Sequence, residues 1–331
     1  MVFDSIPALE IAFEIVFPLI LIGFLIIIVL SSIRHRRRDL EFMTYDEYLR
    51  DWCISHGQSH RLDHVIEDMK KNPVGALYQP LTYKGGKLFA RWGFTANKVS
   101  LINLISNLFI FYFTIMVGDA YSLDFYSQQP FWGALLIPIG FVVLFTGVID
   151  GIDGSIARLL DRQTKSGGWL DAIIDRISDI LSFVGLVYGG YLIIAPLGIN
   201  LAWLCWTNIF IIFLYEYMRA KHHEVGLHKS QPFMGERPTR IIIQTTFYLI
   251  FGISSFSVMI TYLIVPTATI ETSLWSASHP SILYWCMSIF QITIFIIMLY
   301  SIIKASLWIW RNLKELDKKS KNNSQQKEVN E

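Results

Sequence analysis

Long apolar runs alternate with short polar stretches along nearly the whole chain. Seven runs, near 11–33, 98–117, 131–153, 168–194, 198–219, 239–265 and 281–310, reach the roughly 20 residues that a helix needs to cross a bilayer. The pattern predicts an all-α polytopic membrane protein, with a body of six helices and one extra transmembrane helix at the N-terminus. The first run reads as an anchor and not as a cleavable leader. It is too long, its positive charges follow the apolar stretch, and no small-residue cleavage site is evident. Four parts are expected: an anchor at 1–33, a polar segment at 34–80, the membrane body at 81–312, and a polar, disordered tail at 313–331. No internal repeat is visible.

Composition agrees, with 53% hydrophobic and 17% charged residues in 331. A formal net charge of +1 conceals a strong segregation of the charges. Arg34, Arg36, Arg37 and Arg38 end the first run, so its N-terminus is expected outside and residues 34–97 in the cytoplasm. Alternation then puts loops 118–130, 195–197 and 266–280 outside, and none of them contains a Lys or Arg. Cys53, Cys205 and Cys286 are too few and too scattered for a disulfide framework.

Against this background the acids stand out. Asp150 and Asp153 are three apart at the cytoplasmic end of one run, and on a helix they share a face. Asp171 and Asp175 are four apart near the start of the next run, about 6 Å of rise from each other. A short hairpin at 159–166 lets the two pairs converge. Ionisable groups at membrane depth are costly unless paired, wetted or holding a cation. Like charges cannot pair with each other, and hard oxygen ligands suit Mg²⁺ or Mn²⁺ and not zinc. Gly154 and Ala157 leave the helix surface bare beside the acids, and Arg158 offers a fork for phosphate oxygens. Two metal ions roughly 4 Å apart could bridge a pyrophosphate there.

The arrangement Asp-x-x-Asp-Gly-x-x-Ala-Arg, eight residues, then Gly-x-x-x-Asp-x-x-x-Asp resembles the signature of the CDP-alcohol phosphatidyltransferases. Asp150, Asp153, Gly154, Ala157, Arg158, Gly167, Asp171 and Asp175 fill every specified position. The likeness covers about residues 80–310. Phe94-Thr95-Ala96-Asn97 is similar to the family's Thr-Pro-Asn start of its first helix, with Ala96 in place of Pro. The resemblance implies transfer of a phosphatidyl or archaetidyl group from a CDP-linked lipid to an acceptor hydroxyl, with release of CMP. It implies that Asp150, Asp153, Asp171 and Asp175 hold two Mg²⁺ or Mn²⁺ ions and that Asp175 is also the general base. Gly154, Ala157 and Arg158 would receive the CDP-lipid, and a homodimer is implied as well. Partners are then a CDP-linked lipid, a polar alcohol and the surrounding membrane lipids, with no nucleic acid.

The acceptor is read from cations facing the motif. Arg176 follows Asp175, Asp179 lies one turn on, and a later loop carries Tyr217-Met-Arg219-Ala and Glu236-Arg237-Pro-Thr-Arg240. This pattern is similar to the phosphatidyl- and archaetidyl-inositol-phosphate synthases. It makes inositol phosphate the expected acceptor, with Arg176, Arg219, Arg237 and Arg240 on its phosphate. Glycerol phosphate could use the same cations. Serine, or diacylglycerol with CDP-choline or CDP-ethanolamine, would leave them without a role. A divalent-cation transporter and a silent scaffold are the alternatives of other classes. The first would need a path to the outside, and the acids are bunched at the inner ends.

Two further features carry less. His56, His60 and His64 recur every four residues near Cys53 and Asp63, but Gly57 argues against one continuous helical face, so a solvated surface is preferred to a metal site. Residues 83–92 mix basic and aromatic side chains as an interfacial helix would.

Overall fold

The computed structural model describes residues 11–37, 39–55, 62–71, 73–119, 132–194, 197–227, 231–264 and 274–330. A widened turn, Ala12–Val16, opens into α1 (Phe17–Ile33). Pro18 has no N–H to give the regular ladder, and the turn before it takes i→i+5 bonds instead. Two short helices follow, α2 (Tyr45–Ser55) and α3 (Leu62–Lys71), then α4 (Pro73–Arg91). The long helices are α5 (Ala96–Asp119), α6 (Leu136–Leu159), α7 (Lys165–Tyr188), α8 (Ala202–Glu224), α9 (Arg237–Ile264) and α10 (Leu274–Asn330). A two-residue antiparallel pairing of β1 (Ile193–Ile194) with β2 (Ile199–Asn200) closes the turn between α7 and α8.

The chain is an integral membrane protein. Among the described residues four helices are long and apolar enough to cross a bilayer: Ala12–Ile33, Ala96–Gly118, Trp132–Leu159 and Trp285–Lys318. The other three expected spans are helical at the expected places. Charge interrupts the apolar run in α7, through Asp171, Asp175, Arg176 and Asp179, and tempers it in α8, through Glu216 and Arg219. Toward the far end of α9 the side chains at 258 and 261–263 lie outside the described residues. α10 runs on through the polar tail, which was expected to be disordered; no Gly or Pro interrupts that stretch.

Helix α5 packs between α6 and α7, α9 joins α6 to α10, and α8 rests on α7 and α10. Phe183, Tyr191, Tyr248, Phe251 and Phe290 fill the main core. Asn208 on α8 donates to the Gln291 carbonyl at 2.9 Å and to its side-chain oxygen at 2.8 Å, a polar tie inside an apolar contact. A second core, around Phe94, Val99, Ile149, Ile152 and Ile156, receives Leu25, Ile28 and Val29 of α1. The anchor is therefore packed on the body and is not a free tether.

Residues 83–91, expected as an interfacial helix, form the second half of α4. The basic and aromatic side chains turn on each other: the Lys87 ammonium lies 4.8 Å from the Tyr83 ring centre, and the Arg91 guanidinium 5.6 Å from that of Phe42. The opposite face is seated on α6. A Cβ on Gly85 would come within 2.7 Å of Ile152, and one on Gly86 within 2.8 Å of Ser155. On α6 itself, a Cβ on Gly151 would meet the Tyr78 hydroxyl at 2.4 Å.

Candidate active site

Helix α6 ends in a Schellman motif, with Arg162 N–H bonded to the Ala157 carbonyl (2.8 Å) and Asp161 N–H to that of Arg158 (3.0 Å). Asp161 occupies the left-handed position, φ 49°, which glycine usually takes and aspartate tolerates. Thr164 then caps α7, its hydroxyl accepting from the Gly167 N–H at 3.0 Å. This tight reversal sets the two acidic faces opposite each other.

Asp150, Asp171 and Asp175 each place a carboxylate oxygen within 4.8 Å of the others. Asp153, the fourth expected ligand, is not in that group. It accepts from Ser100 Oγ at 2.5 Å and from the Gly154 N–H at 2.5 Å, while still neighbouring Asp150 and Asp171. Asn103 donates to Asp150 at 3.3 Å. Ser100 and Asn103 were not anticipated. Their signal is a polar stripe, Asn97, Ser100, Asn103 and Asn107, recurring at helical spacing through an apolar run.

Arg237 lies against the acids themselves. Expected on the acceptor phosphate, it bonds both Asp150 and Asp175 from the first turn of α9. Arg240 is buried and bonds Asp179 at 2.8 Å and the Gly235 carbonyl at 2.5 Å. Arg176 reaches Glu216 at 3.2 Å and Asp179 at 3.4 Å. Arg219 reaches Glu236 at 2.7 Å and Glu216 at 3.5 Å. Each of the four arginines is held by carboxylates, Arg237 and Arg176 against the motif acids and Arg240 and Arg219 against Asp179, Glu216 and Glu236. Glu216 and Glu236, absent from the expectation, are the counter-charges. Arg176 and Arg219 keep the most accessible side chains of the four, 20% and 34%, against 9% and 4% for Arg237 and Arg240.

Gly154, Ala157 and Arg158 line a cleft of about 200 Å³ together with Asn97, Ser100, Asp153, Thr164 and Asp171. The bare surface at Gly154 is partly occupied by the protein itself: a Cβ there would lie 3.0 Å from Arg158 Nη1. His64 is exposed and pairs with Asp68 at 2.9 Å, and His56 and His60 lie outside the described residues.

The donor set fits a hard divalent cation. Every donor is a carboxylate oxygen, and the four motif carboxylates outnumber the cations against them, Arg237 on Asp150 and Asp175 and Arg176 at 3.9 Å from Asp175. Negative charge remains for a metal ion to balance.

Residues 94–272, more than half of the chain, match the model of the CDP-alcohol phosphatidyltransferase family. The chain belongs to that family and is a membrane-embedded transferase of phospholipid synthesis. It is 27% identical over 169 residues to the archaetidylinositol phosphate synthase of Pyrococcus horikoshii, spanning 50% of this chain and 74% of that protein. To the phosphatidylinositol phosphate synthase of Streptomyces avermitilis it is 28% identical over 151 residues, 44% of this chain and 57% of that protein. Among solved structures, the phosphatidylinositol phosphate synthase of Mycobacterium tuberculosis in complex with manganese and citrate aligns over 69% of this chain and 88% of that one. The identity there is 19% and the TM-score 0.47.

Proposed function

We propose that this chain transfers the phosphatidyl or archaetidyl group of a CDP-linked lipid to the hydroxyl of an inositol phosphate and releases CMP. The observation that carries the reading is the convergence of Asp150, Asp171 and Asp175 within 4.8 Å beside the cleft formed by Gly154, Ala157 and Arg158. Asp150, Asp153, Asp171 and Asp175 would hold two Mg²⁺ or Mn²⁺ ions. Bound there, the ions supply Lewis-acid stabilisation of the charge that builds on the phosphates. Arg158 orients the diphosphate, and Gly154 and Ala157 leave room for the cytidine. The Asp175 carboxylate takes the proton of the acceptor hydroxyl as its oxygen attacks the β-phosphate. The bond from that phosphorus to the CMP oxygen breaks, and CMP departs with the electron pair.

The acceptor's phosphate is assigned to Arg176 and Arg219, the accessible pair. Arg240 and Arg237 act from behind, on Asp179 and on Asp150 and Asp175. Relatives named archaetidylinositol phosphate synthase and phosphatidylinositol phosphate synthase support this acceptor. The absence of Lys and Arg from 118–130, 195–197 and 266–280 supports a site at the cytoplasmic face and an N-terminus outside. Residues 81–312 then form the catalytic body.

The test is CMP release by purified protein with Mg²⁺ or Mn²⁺ and CDP-diacylglycerol or CDP-archaeol, with inositol phosphate, glycerol phosphate, serine and inositol offered in parallel. Release with inositol phosphate alone is expected. Release with glycerol phosphate or serine alone would overturn the acceptor, and release with none would overturn the reaction.

A further inference from the structure

The cleft arginine is held from outside the family's part of the chain. Helix α2 lies in the cytoplasmic segment, well before the family match begins at residue 94. Tyr48, Asp51 and Ser55 fall three and four residues apart and share one face of that helix. All three meet the motif helix α6 or the hairpin after it. The buried Tyr48 hydroxyl lies 2.6 Å from Ser155 Oγ, next to Gly154. Asp51 Oδ2 lies 3.6 Å from Arg158 Nε and accepts from Gln163 Nε2 at 3.3 Å. Ser55 Oγ accepts from Arg158 Nη2 at 3.2 Å.

The geometry of the fork gives these contacts a purpose. Nε and Nη2 form one edge of the planar guanidinium, and that edge is turned to α2. Nη1 lies over Gly154, on the cleft side. The Arg158 side chain is only 11% exposed, and Asp51, at 40%, is the only carboxylate paired with it among the described residues. A long arginine left free would spend its rotamers before meeting a phosphate; one clamped along its rear edge presents Nη1 already aimed.

Helix α2 is built to stay in place while it does this. Thr44 and Glu47 form a capping box, with the Thr44 N–H donating to Glu47 at 2.7 Å and Glu47 N–H to the Thr44 hydroxyl at 3.4 Å. Leu49 and Cys53 are fully buried beneath it.

We infer that Asp51 and Ser55 are positioning residues for nucleotide recognition: they fix the guanidinium of Arg158 on the diphosphate of the CDP-lipid. The N-terminal segment thereby completes a substrate site in the membrane body. The inference rests on the CDP-lipid reading of the cleft. The discriminating measurement is equilibrium binding of CMP, with Mn²⁺ present, to the full-length protein in detergent, which needs no turnover. Variants are Asp51→Ala, Asp51→Glu, Ser55→Ala, Arg158→Ala and the Asp51→Ala/Arg158→Ala double. Asp46→Asn, on the same helix but paired with Lys70 and not with Arg158, is the control for charge and folding.

Asp51→Ala is expected to weaken CMP binding about three- to fivefold, the size of one partly exposed ion pair, and Asp51→Glu to recover most of it. In the Arg158→Ala background, removing Asp51 should change nothing further. Ser55→Ala carries the same test if Asp51→Ala fails to fold. Unchanged or tighter binding in Asp51→Ala, or an equal loss with and without Arg158, would overturn the inference. A wild-type protein that binds no CMP would instead overturn the CDP-lipid reading beneath it.

Discussion

Arg237 shows how far a residue's surroundings decide its work. Read from the chain it is one cation among several in a basic loop. In the fold it bridges Asp150 and Asp175 from the start of α9. Removing one partner of a buried ionic cluster leaves uncompensated charge, typically at a cost of about 3 kcal/mol or more. Arg237→Ala is therefore expected to lower the melting temperature in chelator and to regain much of the loss on addition of Mn²⁺, since the same carboxylates would then hold a cation. A melting curve at graded Mn²⁺ decides it; an Arg237→Ala melting point insensitive to the ion would contradict the placement. Arg176→Ala and Arg219→Ala are expected to raise KM for the phosphorylated acceptor about tenfold while leaving KM for the CDP-lipid alone. Initial rates with each substrate varied in turn separate the two. The four motif acids were legible because charge inside apolar runs is conspicuous. Their partners Ser100, Asn103, Glu216 and Glu236 were less so, because which polar groups face one another depends on packing between distant helices.

At the scale of elements, the contact of α4 with α6 is close enough to forbid side chains. Gly86→Leu would drive a branched side chain into Ser155 and Leu159 and is expected to destabilise by about 1–3 kcal/mol. Because Ser155 sits between the Asp153–Gly154 pair and Arg158, CMP binding should weaken with it; thermal unfolding and CMP binding on the same sample check both. Seven long helices at the expected places were readable from apolar periodicity and length. Whether each reads as a membrane span was not uniformly so, because α7 and α8 carry the acids and arginines of the site in the same run that must cross. The docking of residues 83–92 on α6 was not readable either. Its marks are Gly85 and Gly86, and a glycine pair signals close approach without naming the partner.

For the whole molecule, the distribution of charge and the position of the site make one statement about sidedness. All three native cysteines are buried, so single cysteines can be placed on that background. Lys165→Cys, at the start of α7, is expected to react with a membrane-impermeant maleimide only after the cytoplasmic face is opened. Gly198→Cys, in the turn between β1 and β2, should react in intact cells. Reversed labelling would turn the molecule over. Residues 1–93 lie outside the family match, yet α1 packs on the second core and α2 on the motif helix. That integration was invisible in the sequence, where the segment reads as a separate appendage, because the residues of α2 that meet the motif helix, Tyr48, Asp51 and Ser55, are polar positions in a polar stretch.

The central claim is that an acid cluster at the adjoining ends of α6 and α7 performs metal-dependent transfer with Asp175 as the base. Its most direct test is CMP release at saturating CDP-lipid and inositol phosphate, titrated with Mn²⁺, for the wild type and Asp175→Asn. The wild type should be silent in chelator and rise to a plateau with the ion. Asp175→Asn should fold and bind CMP but release it at least about a thousandfold more slowly at every concentration. Full activity in chelator, or an Asp175→Asn rate near that of the wild type, would contradict the claim.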